Sequence, residues 1–491
     1  MAPSSWSPCW WFPTASTAVS AACSAWRARA GVGQRAITRG WSIGTIPRGA
    51  DEAPTPPFAE GEGRARELIK REDSLNRQIN STKSAISRIA VGCAVAVLVA
   101  ACGESTSQTN TASAPGISTS EIKIGSTQPL TGPAAPGYSE IAPAANAYFQ
   151  YVNAHGGVFG RKITYDYQDD GYNPTNTSSV TRKLVLEDKV FAVFNALGTP
   201  THLAVVDYLN TEKVPDLFVA SGCNCWNDTS AHPYTFGWQT DYTIEGKILG
   251  QYINQSLSGK KVGYFYQNDE FGLDGVKGLD QQISSVASKQ TYVPTNTNLT
   301  SQISALQGSG AQVVASFSIP AFTALALLKA AQLGYHPIWV VSNVGSDVPT
   351  LTGLLTKFSQ GAVGGQLLTG MVTDTYGPLV TNASNPWITL FKGIHDQYIS
   401  SLPWDGNILY GMEVAYTFVQ AMKAAGRNPT RSGIVHTIET TKLTGGPGLV
   451  PFGYASGNHL GYLGVQVATI GAGGSATTVG PIYTSTDSGS I

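Results

Sequence analysis

Hydroxyl-bearing residues that follow strand-like segments are the best candidates for binding chemistry in this chain. They lie in two loops, Gly198-Thr199-Pro200-Thr201 and Ser221-Gly222. Where parallel strands end, such loops gather at one edge of the sheet and helix N-termini there present N–H groups. Hydroxyls and N–H groups together suit a carboxylate or amide oxygen. Thr199 and Ser221 are equally compatible with ordinary helix capping, and for Thr199 one hydroxyl can do both.

Aromatic side chains near these loops suit a flat or hydrophobic ligand body. The candidates are Tyr138, Trp226 and Phe271. An aromatic pair around a ligand ring adds about 1 kcal/mol beyond the burial of its area. Each of the three could instead pack a lobe, and for Trp226 the two roles are evenly balanced because Trp is so often buried for packing.

No catalytic constellation is visible in the sequence. It contains no Gly-x-Ser-x-Gly elbow, Walker loop, His-Glu-x-x-His or strand-following Gly-x-Gly-x-x-Gly. Asp169-Asp170 looks like a carboxylate pair, but it ends a strand-like run before Asn173-Pro174, where turn and capping roles explain it better. We therefore predict no enzymatic activity, no cofactor and no metal site, and an exported hydrolase is disfavoured.

Cys223 and Cys225 form a Cys-x-Cys pair. In an oxidising compartment they could form a disulfide, although the ring would be small and strained. A metal site would need further Cys or His ligands nearby, and none flank the pair. Two unpaired thiols also remain open.

A lipoprotein-type export signal is predicted at residues 83–101. Basic residues precede an apolar run that begins at Ile89 and ends in Val99-Ala100-Ala101-Cys102. Small residues before a cysteine favour cleavage at that cysteine and attachment of lipid to it. The run is shorter than the roughly 20 apolar residues of a spanning helix. We expect an extracytoplasmic protein held at the membrane by lipid on Cys102; the alternative is a buried helix that happens to end in Cys.

The segments on either side of the signal differ in composition. Residues 1–82 mix Trp, Arg, Pro and Gly without periodicity and are predicted to be a non-native or disordered extension, with the true start near Leu75. A long disordered cytoplasmic arm is the alternative. Residues 102–119 are rich in Ser, Thr, Ala and Gly, as expected for a flexible tether.

Composition limits the classes of partner. The chain of 491 residues has 31 Lys and Arg against 32 Asp and Glu, and its net charge is −1. Such a balance disfavours nucleic acid or an anionic membrane surface as a partner.

From Glu121 onward, strand-like and helix-like segments alternate, which predicts an α/β fold with parallel sheets. About five units precede Trp238 and four follow it, so we expect two doubly wound lobes. Three helices then follow, and two strands after them, at 386–400, 407–425, 431–440, 449–454 and 463–470. Returning helices would cover the first sheet while the last strands join the second. The predicted boundaries are 120–241 plus 372–450 for lobe 1, and 242–371 plus 451–485 for lobe 2.

Several stretches resemble the branched-chain amino-acid-binding family, which comprises extracytoplasmic solute receptors of ABC importers. They are IKIGSTQPLTGPAA from Ile122, NAHGGVFGRKITYDYQDDGYNP from Asn153 and YQNDEFGLDG from Tyr266. GTPTHLAVVDYLNTEKVPDLFVASG from Gly198 is more similar to a subgroup that includes receptors for aromatic and other organic acids. The resemblance implies a type I periplasmic-binding fold with a hinge of three crossovers, no catalysis, and permease and ATPase partners. We expect a monomer.

The departures from the family concern the ligand. The family's carboxylate-binding positions fall on Gly198-Thr199 and Ser221-Gly222, so this function is retained. The tyrosine and glutamate that hold an ammonium in amino-acid receptors fall on Phe271 and near Asn343-Val344, which supply no negative charge. Burying an ammonium without an anionic partner costs several kcal/mol. Asp241 near the first crossover could compensate, although it fits a turn role better.

The sequence therefore predicts a receptor for a small hydrophobic or aromatic carboxylate. A receptor for a branched-chain amino acid or an amide is the alternative, and a sensory ligand-binding protein shares the fold. The predicted ligand-binding residues are Tyr138, Thr199, Pro200, Ser221, Gly222, Trp226, Asp241, Phe271 and Asn343.

Overall fold

The computed structural model describes residues 109–444, 446–486 and 489–491. The predicted signal, Cys102 and the N-terminal extension lie outside the described residues. Within the described ranges, no helix has both the length and the apolar character needed to cross a membrane.

The first lobe begins with a parallel sheet in which strands and helices alternate. In chain order its elements are β1 (Glu121–Gln128), α1 (Ala135–Tyr138), α2 (Ile141–Ala154), β2 (Lys162–Asp169), α3 (Pro174–Leu186), β3 (Val193–Phe194), α4 (Thr199–Leu203), α5 (Val206–Thr211), β4 (Asp216–Val219), a 3-10 turn (Asn224–Asn227) and β5 (Thr235–Gly237). The strand order is β2-β1-β3-β4-β5, and every pairing is parallel. Parallel pairing places the carboxyl ends of β3 and β4 at one edge, where the hydroxyl loops follow.

The second lobe has a larger, mixed sheet. Its elements are α6 (Tyr242–Ser256), β6 (Val262–Gln267), α7 (Glu270–Asp280), β7 (Val286–Tyr292), α8 (Thr300–Gly308), β8 (Val313–Phe317), α9 (Pro320–Gln332), β9 (Ile338–Val341), a 3-10 turn (Asn343–Gly345), α10 (Val348–Phe358), a 3-10 turn (Gly365–Leu368), β10 (Val372–Thr375), β11 (Gly464–Ile470) and β12 (Ala476–Thr484). The strand order is β12-β11-β10-β9-β8-β6-β7. The pairs β10–β11 and β11–β12 are antiparallel, and the other pairs are parallel.

Three helices between β10 and β11 return to the first lobe. They are α11 (Pro386–Tyr398), α12 (Gly406–Ala424) and α13 (Arg431–Thr440). Their buried residues, including Phe391, Met412 and Ile434, belong to the same core as Ile124 and Phe149 of the first lobe. The chain therefore crosses between the lobes three times, as the family resemblance implied.

The lobe boundaries differ from the sequence-based ones at two places. Residues 372–375, assigned to lobe 1, form β10 and pair with β9 and β11 in the second sheet. Residues 449–454, predicted as a strand, form only an isolated bridge between Phe452 and Tyr462, and the rings of Phe452 and Tyr454 pack against the first-lobe core. The last crossover thus lies after Tyr462, whose ring belongs to that core, and not at residue 451.

Candidate ligand site between the lobes

A cavity of about 710 Å³ lies between the lobes. Its volume falls within the usual range for small-molecule sites. Residues that follow β3, β4, β8 and β9 line it, so the strand carboxyl ends of both sheets contribute. The aromatic residues of its lining are Tyr138, Tyr172, Tyr242, Phe271, Tyr376, Trp404 and Tyr410. These walls suit an apolar or aromatic ligand body.

One side of the cavity carries a pair of hydroxyl groups, Thr199 and Ser221, which we call the hydroxyl wall. Thr199 lines the cavity, and its Oγ1 lies 2.7 Å from the Oγ of Ser221 directly behind it. Ser221 Oγ also accepts a hydrogen bond from Cys223 N at 3.2 Å. If Ser221 donates to Thr199, the Thr199 hydroxyl hydrogen is available to an oxygen in the cavity.

Gly198 makes this loop possible. Its φ is +108°, a conformation that side chains other than glycine rarely adopt. A Cβ there would also lie 2.5 Å from Thr201 Oγ1 and 2.6 Å from the Tyr172 ring. The loop therefore needs glycine to bring Thr199 to the cavity at the start of the five-residue helix α4.

Four of the nine predicted residues line the cavity: Tyr138, Thr199, Phe271 and Asn343. The other five do not, namely Pro200, Ser221, Gly222, Trp226 and Asp241. Ser221 acts behind Thr199, as described above. For the remaining four, the structure gives local structural reasons for their presence.

Trp226 is a packing residue. Its side chain is fully buried in a small cluster with Val206 and Val219, and its ring meets His202 edge-on at 5.1 Å between centroids. Its indole N–H donates to Ser221 O at 3.1 Å. A Trp so placed holds the loop that carries Ser221 but does not face the cavity.

Asp241 and Gly222 have structural roles at the first crossover. The Asp241 carboxylate caps helix α6 by accepting hydrogen bonds from Thr243 N at 2.8 Å and Ile244 N at 3.0 Å. At Gly222 a Cβ would lie 2.4 Å from Thr240 O, so a glycine is needed for close approach of the two segments. Pro200 occupies the first turn of α4, where its missing N–H costs nothing.

Cys223 and Cys225 are joined by a disulfide, with sulfur atoms 2.16 Å apart. The bridge encloses the start of the 3-10 turn after β4. Within that turn Asn224 N donates to Asp274 Oδ2 of the second lobe at 2.8 Å. The disulfide therefore lies at a contact between the lobes.

Asn343 carries no charge itself, as the sequence shows, but two buried carboxyl groups lie against it. Its side-chain amide donates to Glu245 Oε1 and to Asp374 Oδ1, each at 2.9 Å, and its backbone N–H donates to Glu245 Oε1 at 2.8 Å. Asp374 lines the cavity, whereas Glu245 lies behind. Burial and the neighbouring Asp374 carboxyl raise the pKa of Glu245 well above its usual range, and burial raises the pKa of Asp374 to about 6.

Glu413 is the second buried acid of the lining. Only 2% of the residue is exposed, and burial raises the pKa of its carboxyl well above the usual range. We call Asp374 and Glu413 the acid wall. Sequence comparison missed both residues because they lie far along the chain from the aligned positions. A signal existed for Glu413, which is a lone acid on an apolar helical face in ILYGMEVAYTFV.

Hydrogen bonds join the lobes across the cavity. The Tyr138 hydroxyl donates to Val344 O, and Gln267 Nε2 donates to the Tyr172 hydroxyl at 3.2 Å. At the opposite end, Gly406 N donates to Asp347 Oδ1 at 3.0 Å. The cavity is therefore enclosed by contacts from both lobes, as in a hinged receptor in its closed arrangement.

In the described residues, no cluster of three or more His, Cys, Asp or Glu side chains fits a metal ion.

Two α/β lobes, three crossovers and an enclosed cavity define a two-lobed solute-binding protein. A family model described as Periplasmic binding protein matches residues 121–475, and the chain belongs to that family. It is similar to Leu/Ile/Val-binding protein homolog 8 of Brucella melitensis biotype 1, with 23% identity over 355 residues that cover 69% of this chain and 85% of the relative.

Solved structures share the fold. A branched chain amino acid ABC transporter from Thermus thermophilus with bound valine superposes with a TM-score of 0.66 at 20% identity, covering 75% of this chain and 97% of the other. A fatty acid ABC transporter substrate-binding protein from Thermomonospora curvata gives 0.63 at 21% identity, covering 76% and 95%.

Proposed function

We propose that this chain is the extracytoplasmic substrate-binding component of an ABC importer, and that it captures a small hydrophobic or aromatic carboxylate without converting it. The observation that carries the proposal is the cavity between the lobes, where aromatic walls adjoin the hydroxyl wall. The aromatic walls would bury the ligand body, and the Thr199 hydroxyl would donate to the carboxylate.

The similar structures support this ligand class. Valine and fatty acids differ greatly in size, but each combines a carboxylate with an apolar body. The Thermus thermophilus protein, which shares the fold, has valine bound. The Thermomonospora curvata protein, which also shares it, is named as a fatty acid substrate-binding protein. Both names also refer to an ABC transporter, which supports permease and ATPase partners for this chain.

Calorimetry on the purified full-length chain tests the proposal with matched ligands. We expect 3-phenylpropanoate or 4-methylpentanoate to bind at least tenfold more tightly than the corresponding amide, because a charged acceptor strengthens the hydrogen bond. No binding of any carboxylate, or equal binding of acid and amide, would contradict the carboxylate assignment. Hydrolysis of the amide would contradict the non-enzymatic role.

A receptor for a branched-chain amino acid is the second candidate, and Asp374 is the observation that favours it. Its carboxyl lines the cavity beside Asn343, close to where the resemblance places an ammonium-binding glutamate. Leucine and 4-methylpentanoate share a body and a carboxylate and differ in the amino group. Tighter binding of leucine would select this candidate, and tighter binding of 4-methylpentanoate would exclude it.

Membrane attachment through Cys102 belongs to the same proposal, although this residue lies outside the described part of the chain. Cys102→Ala should leave the precursor uncleaved or release the protein from membranes. Mass spectrometry that finds an unmodified peptide across Ala101-Cys102 in the mature protein would refute it. Co-purification with a permease, as opposed to a sensor kinase, would separate transport from a sensory role, and gel filtration would test the expected monomer.

A further inference from the structure

The loop that carries the Cys223–Cys225 disulfide is connected to the hydroxyl wall. Cys223 N donates to Ser221 Oγ at 3.2 Å, and Ser221 Oγ is hydrogen-bonded to Thr199 Oγ1 at 2.7 Å. Trp226, the residue after Cys225, is buried, and its indole N–H donates to Ser221 O at 3.1 Å. The loop is thus anchored in the first lobe on both sides of the disulfide.

The residue inside the disulfide ring makes the contact with the second lobe. Asn224 N donates to Asp274 Oδ2 of helix α7 at 2.8 Å. The direction of this N–H depends on the backbone of Asn224, and the disulfide joins the two residues that flank it. A covalent ring around a single residue leaves its backbone few conformations. The oxidised loop therefore presents the Asn224 N–H to Asp274 at a small entropy cost.

This contact lies beside the ligand cavity. Phe271 lines the cavity, and Asp274 follows it by three residues on α7. The Asn224 N–H belongs to one lobe and the carboxylate to the other, so they can bond only when the lobes are together. Because the acceptor is a carboxylate, the bond is of the stronger kind. It therefore favours the closed arrangement, which is the one that encloses a ligand.

We propose that the Cys223–Cys225 disulfide is a redox-active site that a dithiol reduces, and that its reduction weakens closure of the lobes and lowers the affinity for ligand. The inference rests on the proposed function, because the ligand must bind in the cavity between the lobes. It goes beyond that function by making capture of the ligand depend on the redox state of the surroundings.

The exchange begins at Cys225, which is half-buried, whereas Cys223 is 1% exposed. A thiolate of the dithiol attacks Cys225 Sγ and forms a mixed disulfide, and Cys223 leaves as a thiolate that takes up a proton. The second thiolate of the reductant then attacks the reductant's own sulfur in the mixed disulfide. Cys225 leaves as a thiolate and is protonated in turn. The protein gains two electrons and two protons, and the dithiol loses the same and becomes a disulfide.

Calorimetry on the full-length chain, oxidised and after reduction with dithiothreitol, measures the effect on binding. The probes are 4-methylpentanoate and leucine. We expect reduction to weaken binding about five- to thirtyfold, the factor that corresponds to ordering the backbone of one residue. The double variant Cys223→Ser/Cys225→Ser should show the same loss without reductant. Dithiothreitol should then change nothing further, which controls for the other cysteines of the chain.

A variant of Asp274 shows whether the effect of reduction passes through the contact between the lobes. Asp274→Ala removes the acceptor and should weaken binding about tenfold or more in the oxidised chain. Reduction of this variant should weaken binding by less than about threefold, since the contact is already lost. Asp280→Ala is the matched control, because Asp280 lies on the same helix and pairs with Lys289 of its own lobe. It should respond to reduction as the unmodified chain does.

A second measurement needs no ligand. If the disulfide favours the contact, the contact must favour the disulfide to the same extent, because the two equilibria are linked. In buffers with graded ratios of reduced to oxidised dithiothreitol, Asp274→Ala should be reduced at a lower ratio than the unmodified chain and Asp280→Ala. Alkylation of the Cys223 and Cys225 thiols, followed by mass spectrometry, measures the reduced fraction.

Two results would overturn the inference while the proposed function stands. One is equal affinity of the oxidised and reduced chains, and the other is an equally large loss on reduction in Asp274→Ala. Disappearance of the cooperative unfolding transition on reduction would also overturn it, because the disulfide would then support the first lobe as a whole. If neither probe binds, the proposed function is contradicted and the reagent ratio still decides: equal ratios for Asp274→Ala and Asp280→Ala would overturn the inference.

Discussion

The hydroxyl wall and the acid wall line the same cavity but differ in how their polar atoms are satisfied. One hydrogen bond of 2.7 Å joins the Thr199 and Ser221 hydroxyls, so each oxygen of the hydroxyl wall has a partner without a ligand. In the acid wall, Glu413 Oε1 is buried and has no hydrogen-bond partner among the described residues. The hydroxyl wall adds to ligand affinity at little cost in stability. Burial of the unpartnered Glu413 oxygen lowers the stability of the protein.

The largest effect is expected at Asn343, which bonds to Asp374 of the acid wall and to Glu245. Asn343→Ala removes the two side-chain hydrogen bonds to Glu245 and Asp374, each to a group that carries or shares a charge. Such bonds contribute about 1.5–3 kcal/mol apiece, so the free energy of unfolding should fall by about 3 kcal/mol or more in denaturant titration. Asn254→Ala, which removes an exposed hydrogen bond to Gln282 O, should cost about 1 kcal/mol or less. Equal losses of stability in the Asn343→Ala and Asn254→Ala variants would show that Glu245 and Asp374 do not depend on hydrogen bonds from Asn343.

The second prediction concerns pH. The folded pKa of Glu413 is raised by burial, whereas the unfolded value is about 4.3. Between these values the folded state holds a proton that the unfolded state has lost, so stability falls as pH rises, by about 1.4 kcal/mol per pH unit. Glu413→Gln removes this term. Relative to the unmodified chain, the variant should therefore gain up to about 3 kcal/mol between pH 5 and pH 7.

Denaturant titrations at the two pH values measure this gain. Asp396→Asn is the control, because Lys392 and His395 hold the pKa of Asp396 below its usual range, outside the tested window. An equal stability difference between the Glu413→Gln variant and the unmodified chain at pH 5 and pH 7 would mean that Glu413 does not hold a proton in the folded state.

The two walls also differ in how far the sequence revealed them. Thr199 was found because a strand, a glycine and a helix start are local patterns, and the alternation of such patterns predicted both lobes and the returning helices. Strand β10 was assigned to the wrong lobe because its four residues are defined by pairing with β9 and β11, which are distant in sequence. Trp226 could be assigned to the core only once His202 and Val206 were seen against it. Asp374 gave no local signal, because its contacts with Asn343 and Glu245 join segments far apart in the chain.

The third prediction tests the hydroxyl wall. Thr199→Val should weaken binding of a plain carboxylate such as 4-methylpentanoate about ten- to hundredfold, the usual loss for a hydrogen bond to a charged group. Binding of 4-methylpentanamide, which has the same body but no negative charge, should weaken less, because a hydrogen bond to a neutral acceptor is weaker. Because Thr199 and Ser221 bond to each other, adding Ser221→Ala should cost less than the sum of the single variants. Equal losses for acid and amide would mean that Thr199 supports the loop and does not bind the carboxylate.

The smallest effect is expected beside the cavity, where acids from both lobes meet. Asp405 caps α12 in the first lobe, Glu140 lies beside it, and Asp347 comes from the second lobe. Burial, together with the charges of Asp347 and Glu140, raises the pKa of Asp405 to about 9. Opening the lobes would remove Asp347 and lower the pKa of Asp405, so closure takes up a proton and rising pH should disfavour the closed arrangement.

Glu140→Gln removes one of the two charges that raise the pKa of Asp405. At high pH the closed arrangement of this variant should therefore be more stable than that of the unmodified chain, by about 1 kcal/mol or less. The radius of gyration from small-angle scattering at pH 6 and pH 9.5, with Glu187→Gln as an exposed control, measures the shift. A radius that increases equally in both variants would show that Glu140 does not contribute to the pH dependence of closure.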